Sequence, residues 1–149
     1  MNNAKTILLV EDNPDDEELT LLAIQRSQIA AEVVVAHDGV EALEYLFQTP
    51  SAQLPRLILL DLKLPKLGGL EVLQRLRADA RTQLIPVVVL TSSSEEADIR
   101  ASYSFNANSY IRKSIDFRNF VETIRQLVYY WFIINQAPPQ THNGFRLNN

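Results

Sequence analysis

The sequence predicts an α/β protein, a single doubly wound (βα)5 three-layer sandwich with a parallel five-stranded sheet. Three observations carry that expectation: four strand-length runs of consecutive apolar residues, segments of helical spacing between them, and polar or acidic residues stationed just after the runs. Runs that are apolar at successive positions, rather than alternating, suit strands covered on both faces, as in a parallel sheet. Strands alternating with helices build βαβ units, whose connections between neighbouring parallel strands are right-handed.

The first strand is TILLV, 6–10, and Leu19, Leu22 and Ala23 mark the helix after it. VVVAH, 33–37, is the second strand, followed by a helix rich in Val40, Leu43, Tyr45, Leu46 and Phe47. LILLDL, 57–62, is the third, and Leu70, Leu73 and Leu76 recur at three-residue spacing beyond it. PVVVLT, 86–91, is the fourth; the helix from Glu95 to about Ser104 has only the thin apolar stripe of Ile99, Tyr103 and Phe105. NSYIRK, 108–113, is the weakest strand, and a long fifth helix runs on from Asp116.

That last helix carries Phe117, Phe120, Val121, Ile124, Leu127, Val128, Trp131 and Phe132 at steps of three or four, an amphipathic stripe. Tyr129, Tyr130, Ile133 and Ile134 then fill positions off the stripe, so its last turns are apolar on most sides. So large an apolar patch calls for a cover. A homodimer through Tyr129, Tyr130, Trp131, Phe132 and Ile133 is the expected one; the alternative folds the extension back over its own domain. The length of 149 residues fits one domain, 1–136, with a flexible tail over 137–149 that opens on Ala137-Pro138-Pro139.

Composition excludes several function classes. Without cysteine there is no disulfide framework, thiolate metal site or cysteine nucleophile. A net charge of −4 and a pI near 5.2 argue against binding nucleic acid through phosphate neutralisation, and no helix-turn-helix extension is present. The most apolar run, LVYYWFII at 127–134, is far shorter than the ~18 residues of a membrane span. MNNAKTILLV lacks the features of a signal peptide, so a cytoplasmic protein is expected.

Ligands of such sheets bind beyond the carboxyl ends of the strands. Six acids lie within the eight positions 11–18, directly after the first strand. Glu11 and Asp12 follow that strand, Asp61 the third, Thr91 and Ser92 close the fourth, and Lys113 closes the fifth. Three carboxylates with a hydroxyl and an ammonium suit Mg2+ held beside a phosphoryl group, since Mg2+ prefers a few hard oxygen ligands and retains water. Each residue also has a plainer explanation. Asp12, Asp15 and Asp16 can serve as caps of the first helix, and SSSEE at 92–96 as a solvated loop and helix start. His37 and His142 form no metal-ligand pair at helical spacing. Asp61, following LILL, needs partners if it is buried.

VEDNPDD, LLDLKLPKLGGLEVL, PVVVLTSSS and SYIRKS, in this order and with thirty residues from Asp61 to Thr91 and twenty-two more to Lys113, resemble the receiver domain of two-component response regulators. The resemblance runs from about Lys5 to Leu127 and implies a flavodoxin-like topology. It implies that Asp61 accepts a phosphoryl group from a phosphohistidine on a sensor histidine kinase. Glu11, Asp12 and Asp61, with the Lys63 backbone carbonyl, would then hold Mg2+. Thr91 becomes the switch hydroxyl, Tyr110 the aromatic rotamer switch and Lys113 the ligand of the acyl phosphate, while Lys63 and Ser93 tune dephosphorylation. ASYSFNANSYIRKSIDFRNF and YYWF resemble, more narrowly, the stand-alone response regulators of cyanobacterial phytochromes, which implies a light-regulated kinase. Such a domain assists its own phosphorylation and dephosphorylation without being an enzyme that turns over a free substrate.

Two positions depart from the family pattern. Ser114 follows Lys113 where many members have a proline that supports a cis peptide, and a non-proline cis bond costs about 2.5 to 4 kcal/mol. Gly68-Gly69 stands where Asp-Gly is common, with Gly68 expected to allow the turn. Among other functions, a haloacid-dehalogenase-like phosphatase needs a second acid two residues after its nucleophile, where this chain has Lys63. A flavodoxin-like mononucleotide binder needs a Gly, Ser or Thr-rich loop where this chain has EDNPDD. An interaction module with an inactive acidic site is the remaining alternative.

Overall fold

The structure, a computed structural model, describes residues 5–113 and 115–139. The Lys113-Ser114 peptide and residues 140–149 of the expected tail lie outside the described residues. Five strands alternate with five helices: β1 Thr6–Val10, α1 Pro14–Arg26, β2 Glu32–Ala36, α2 Gly39–Gln48, β3 Leu57–Leu60, α3 Gly69–Ala78, β4 Val87–Thr91, α4 Glu96–Ser104, β5 Ser109–Arg112 and α5 Phe117–Tyr129. All pairings are parallel, in the order β2-β1-β3-β4-β5. The doubly wound sandwich expected from the apolar runs is the fold observed.

Each strand feeds two cores because successive side chains point to opposite faces. Leu8, Val10, Ile58, Leu60, Val87 and Val89 pack with Leu46, Leu73 and Leu76 of α2 and α3. Ile7, Leu9, Leu57, Leu59, Val88 and Leu90 pack with Ile24 of α1 and with Phe120, Ile124 and Val128 of α5. Every residue of β1, β3 and β4 is buried, which explains why these strands read as unbroken apolar runs. The sheet edges β2 and β5 are half-exposed, so β5 is the faintest strand in the sequence.

Helix starts follow local chemistry. The side chain of Asn13, rather than an aspartate, caps α1 by accepting from the amides of Asp15 (2.9 Å) and Asp16 (3.1 Å). In α2, Asp38 accepts from the amide of Glu41, whose carboxylate reaches back to the amide of His37, a reciprocal cap. Asp116 caps α5 through the amides of Arg118 and Asn119.

Some apolar residues lie off the core. Val40 and Phe47 face outward on α2, and Phe117 overhangs the start of α5. The end of α5 divides the expected dimer surface. Beyond Tyr129 the chain widens into one π-type turn, Tyr130–Ile134, where Phe132 is buried beneath the Arg56 guanidinium, 5.1 Å from the ring centroid. Trp131 packs against the same core. Phe132 is therefore a core residue of its own chain and not available to a partner. Tyr129, Tyr130, Ile133 and Ile134 stay exposed.

The loop after β3 corrects another expectation. Gly68 has an ordinary extended backbone, and the left-handed residue of this loop is Lys66. Of the pair, Gly69 is the one that the fold requires: a Cβ there would stand 2.2 Å from the carbonyl oxygen of Asp61, whereas one on Gly68 meets nothing nearer than 3.7 Å. Gly69→Ala is expected to destabilise the fold by ~2 kcal/mol, the scale of an overpacked site, and Gly68→Ala by clearly less. Urea unfolding of both variants beside wild type checks this, and equal losses would disprove it.

Candidate functional site

The sheet order reverses between β1 and β3, and the acids gather beyond the carboxyl ends of these two strands. Backbone pairing carries each functional residue one step past its strand. The Glu11 amide donates to the carbonyl of Ala36, that of Asp61 to Val10 and that of Lys113 to Thr91. Glu11 and Asp61 are buried at 1% and 7% exposure, Asp12 is exposed, and Thr91 is fully buried. With Asn13 acting as the helix cap, Asp12 is left to face the other acids. One ligand oxygen from each of Glu11, Asp12 and Asp61 lies within 4.8 Å of the others.

The Lys113 ammonium binds this cluster together. Its Nζ donates to Glu11 Oε1 (2.8 Å), Asp16 Oδ2 (2.8 Å) and Asp61 Oδ2 (3.1 Å). The other Asp61 oxygen, Oδ1, accepts from the amides of Leu62 (2.7 Å) and, more weakly, Lys63 (3.4 Å). Both oxygens of Asp61 are thus held. Asp16 was not expected here; in the sequence it is one of the first-turn acids of α1, and its Lys113 partner lies 97 residues away.

One ammonium stands against the carboxylates of Glu11, Asp12, Asp16 and Asp61, and the titration of the site reflects the imbalance. Burial pushes the Glu11 carboxyl up to about 7, Lys113 works against the rise, and the charge of Asp61 adds to it. Burial works to lower the Lys113 ammonium, but its hydrogen bonds to Asp16 and Glu11 and the charge of Asp61 outweigh that and hold it above an ordinary lysine. Hard carboxylate oxygens with surplus negative charge fit a divalent cation such as Mg2+ or Mn2+. Glu11, Asp12 and Asp61 are the residues that would hold it.

Farther along the edge, the Ser93 amide donates to Thr91 Oγ1 at 3.4 Å, and the Tyr110 hydroxyl donates to the Ser93 carbonyl at 2.9 Å. The Tyr110 ring is half-buried against the core cluster of α2 and α3. Lys63 is exposed, and it reaches the site through its backbone amide, which donates to Asp61 Oδ1.

A family model described as the response regulator receiver domain matches residues 7–125. The chain belongs to the response regulator receiver family. Among curated relatives, the probable methanogenesis regulatory protein FilR2 of Methanothrix harundinacea is 40% identical over 134 residues, 89% of this chain and 86% of its own length. Response regulator Rcp1 of a Synechocystis species is 38% identical over 133 residues, covering 87% of this chain and 90% of its own. The crystal structure of the phosphorylated cyanobacterial phytochrome response regulator RcpA superposes with a TM-score of 0.85 at 40% identity, over 91% of this chain and 99% of that one. The Mn(2+)-bound form of Rcp1 does so at 0.83 and 36%, with the same coverage. The receiver is thus similar to stand-alone phytochrome response regulators, and its acids are of a kind that can bind a metal.

The raised Glu11 pKa gives a signed expectation for the metal-free receiver. A carboxyl whose folded pKa lies above its unfolded value of 4.5 contributes stability that is full below 4.5 and is lost as the pH rises through about 7. With a chelator present, wild type should lose stability between pH 5 and pH 8 relative to Glu11→Gln. Urea unfolding at both pH values measures the difference, and parallel pH profiles would refute the assignment.

Proposed function

We propose that this receiver is a phosphorylation-dependent response regulator in which Asp61 accepts a phosphoryl group from a phosphohistidine of a sensor histidine kinase. The observation that carries the reading is the Asp61 carboxylate, buried, held at both oxygens, and within ligand reach of Glu11 and Asp12. An Asp61 oxygen attacks phosphorus in line, the P–N bond to the imidazole breaks, and its electron pair stays on the ring nitrogen. The product is an acyl phosphate. Mg2+, held by Glu11, Asp12 and Asp61 with the Lys63 carbonyl, would neutralise charge on the phosphoryl oxygens. Lys113 turns from its carboxylate partners to donate to the new phosphoryl oxygens, and the Thr91 hydroxyl follows. Tyr110 reports the change to the face of α4, β5 and α5, whose two arrangements must already be near in free energy. Lys63 and Ser93, beside the phosphoryl position, set how readily water removes it.

The likeness to RcpA supports a phytochrome-type kinase as the donor. The exposed group of Tyr129, Tyr130, Ile133 and Ile134, with the uncovered edge of Trp131, supports a homodimer through the end of α5. In this reading residues 1–136 are the receiver and 137–149 its tail. A cytoplasmic place fits the family, and no helix among the described residues is long and apolar enough to cross a membrane.

Intact mass after incubation with Mg2+ and acetyl phosphate is expected to show one added phosphoryl group, absent from Asp61→Asn and from metal-free samples. No addition to wild type at short quench times would favour an interaction module with an inactive acidic site. Thr91→Ala should still be phosphorylated but should no longer couple phosphorylation to partner binding; equal coupling in the two proteins would remove Thr91 from the switch. Tyr130→Ser with Ile133→Ser should sediment as a monomer while unfolding like wild type, and an unchanged dimer would place the interface elsewhere.

A further inference from the structure

Between β4 and α4 one residue touches everything the switch needs. Ser93 donates its amide to Thr91 Oγ1 and accepts the Tyr110 hydroxyl at its carbonyl. Its own hydroxyl accepts from the Glu95 amide at 3.2 Å and donates to Asp98 Oδ2 at 2.6 Å. One amide and one hydroxyl thus donate in sequence along a line that ends on a carboxylate, the acceptor to which hydrogen bonds are shortest and strongest. Asp98 lies in the first turn of α4, and its carbonyl accepts from the buried Ser102 hydroxyl at 2.8 Å.

The surroundings give this link its leverage. Glu95, at the N-cap of α4, makes no side-chain cap, and Ser102 is the one residue of α4 that is buried. With so little apolar packing, the helix and the loop before it depend on polar contacts for their position. A first-turn acid also has an ordinary role, favourable placement at the positive end of the helix. That role needs no partner on Ser93, and it does not account for the 2.6 Å bond.

We propose that Asp98 is a positioning residue of the switch: through the Ser93 hydroxyl it fixes the β4–α4 loop, and so the carbonyl that holds Tyr110 inward and the amide that meets Thr91. The proposal rests on the phosphorylation reading and deepens it. When the Thr91 hydroxyl leaves for a phosphoryl oxygen, Ser93 loses an acceptor for its amide but keeps its tether. The tether decides whether the loop, and Tyr110 with it, follows Thr91. Without the carboxylate, the Ser93 carbonyl wanders, the inward arrangement of Tyr110 loses its main polar contact, and Thr91 and α4 are uncoupled.

The test uses the full chain labelled with 3-fluorotyrosine, the Tyr110 resonance being assigned with Tyr110→Phe. Asp98→Ala and Ser93→Ala should each move that resonance, and its solvent isotope shift, toward the exposed arrangement, with the outward population rising on the order of three- to ten-fold. Ser93→Thr, which retains a hydroxyl, should restore the wild-type spectrum, and the Ser93→Ala/Asp98→Ala double variant should go no further than either single one. A Tyr110 resonance unchanged in Asp98→Ala, even in a less stable protein, would leave Asp98 as a plain helix-terminal charge and overturn the proposal. So would additive effects of the two alanines. These readings are made on unphosphorylated protein, while intact mass with acetyl phosphate tests the phosphoacceptor separately, so that either reading can fail without the other.

Discussion

One shared proton donor organises the end of this molecule: the Lys113 ammonium, within 3.1 Å of oxygens on Glu11, Asp16 and Asp61. It joins the ends of β1, β3 and β5 and the first turn of α1. Surface ion pairs contribute little, but at this burial a missing partner would leave a desolvated charge, which costs several times more. The site is stable because the lysine is there and poised because one lysine is not enough. Glu11 bears the shortfall, its ionised form disfavoured by burial, and the same shortfall makes a divalent cation welcome.

The sheet beneath supplies the rigidity. Three central strands buried on both faces, each large side chain contributing ~1.5–3 kcal/mol on burial, hold the backbones of residues 11, 61 and 113 in register. Polar strain is thus confined to one edge of a well-packed core. The close approach of Gly69 to the Asp61 carbonyl belongs to the same economy of space, since the start of α3 lies against the backbone of Asp61 and Leu62.

From the site outward, packing grows thinner. The core of α1 and α5 reaches as far as Phe132, pinned under Arg56, while α4 buries only Ser102 and is held by the chain of bonds through Ser93 and Asp98. An element fixed by a few hydrogen bonds can be moved by changing one of them; an element fixed by a dozen methyl groups cannot. Under the proposed phosphorylation of Asp61, this gradient in packing would let the change reach the α4, β5 and α5 face while the rest of the sandwich stays still.

The sequence by itself determined the strand order along the chain, the parallel sheet and the edge at which the acids meet. Those features rest on local chemistry: apolar runs can be buried only on both faces, and β-α alternation leaves the strand ends on one side. The motif spacing also brought Glu11, Asp12, Asp61, Thr91 and Lys113 into view. Only the tertiary structure decided the rest. Asp16 read as a helix-start acid and Asp98 drew no reading until the partners opposite them, Lys113 and Ser93, were in place, because a carboxylate's role depends on a donor distant in sequence or folded back by a turn. Gly69 rather than Gly68 proved indispensable, since close approach of two backbones leaves no trace in composition. Phe132 and Ile133 are neighbours of equal hydrophobicity; one is core and the other surface because helix phase, and Arg56 seventy-six residues earlier, chose between them.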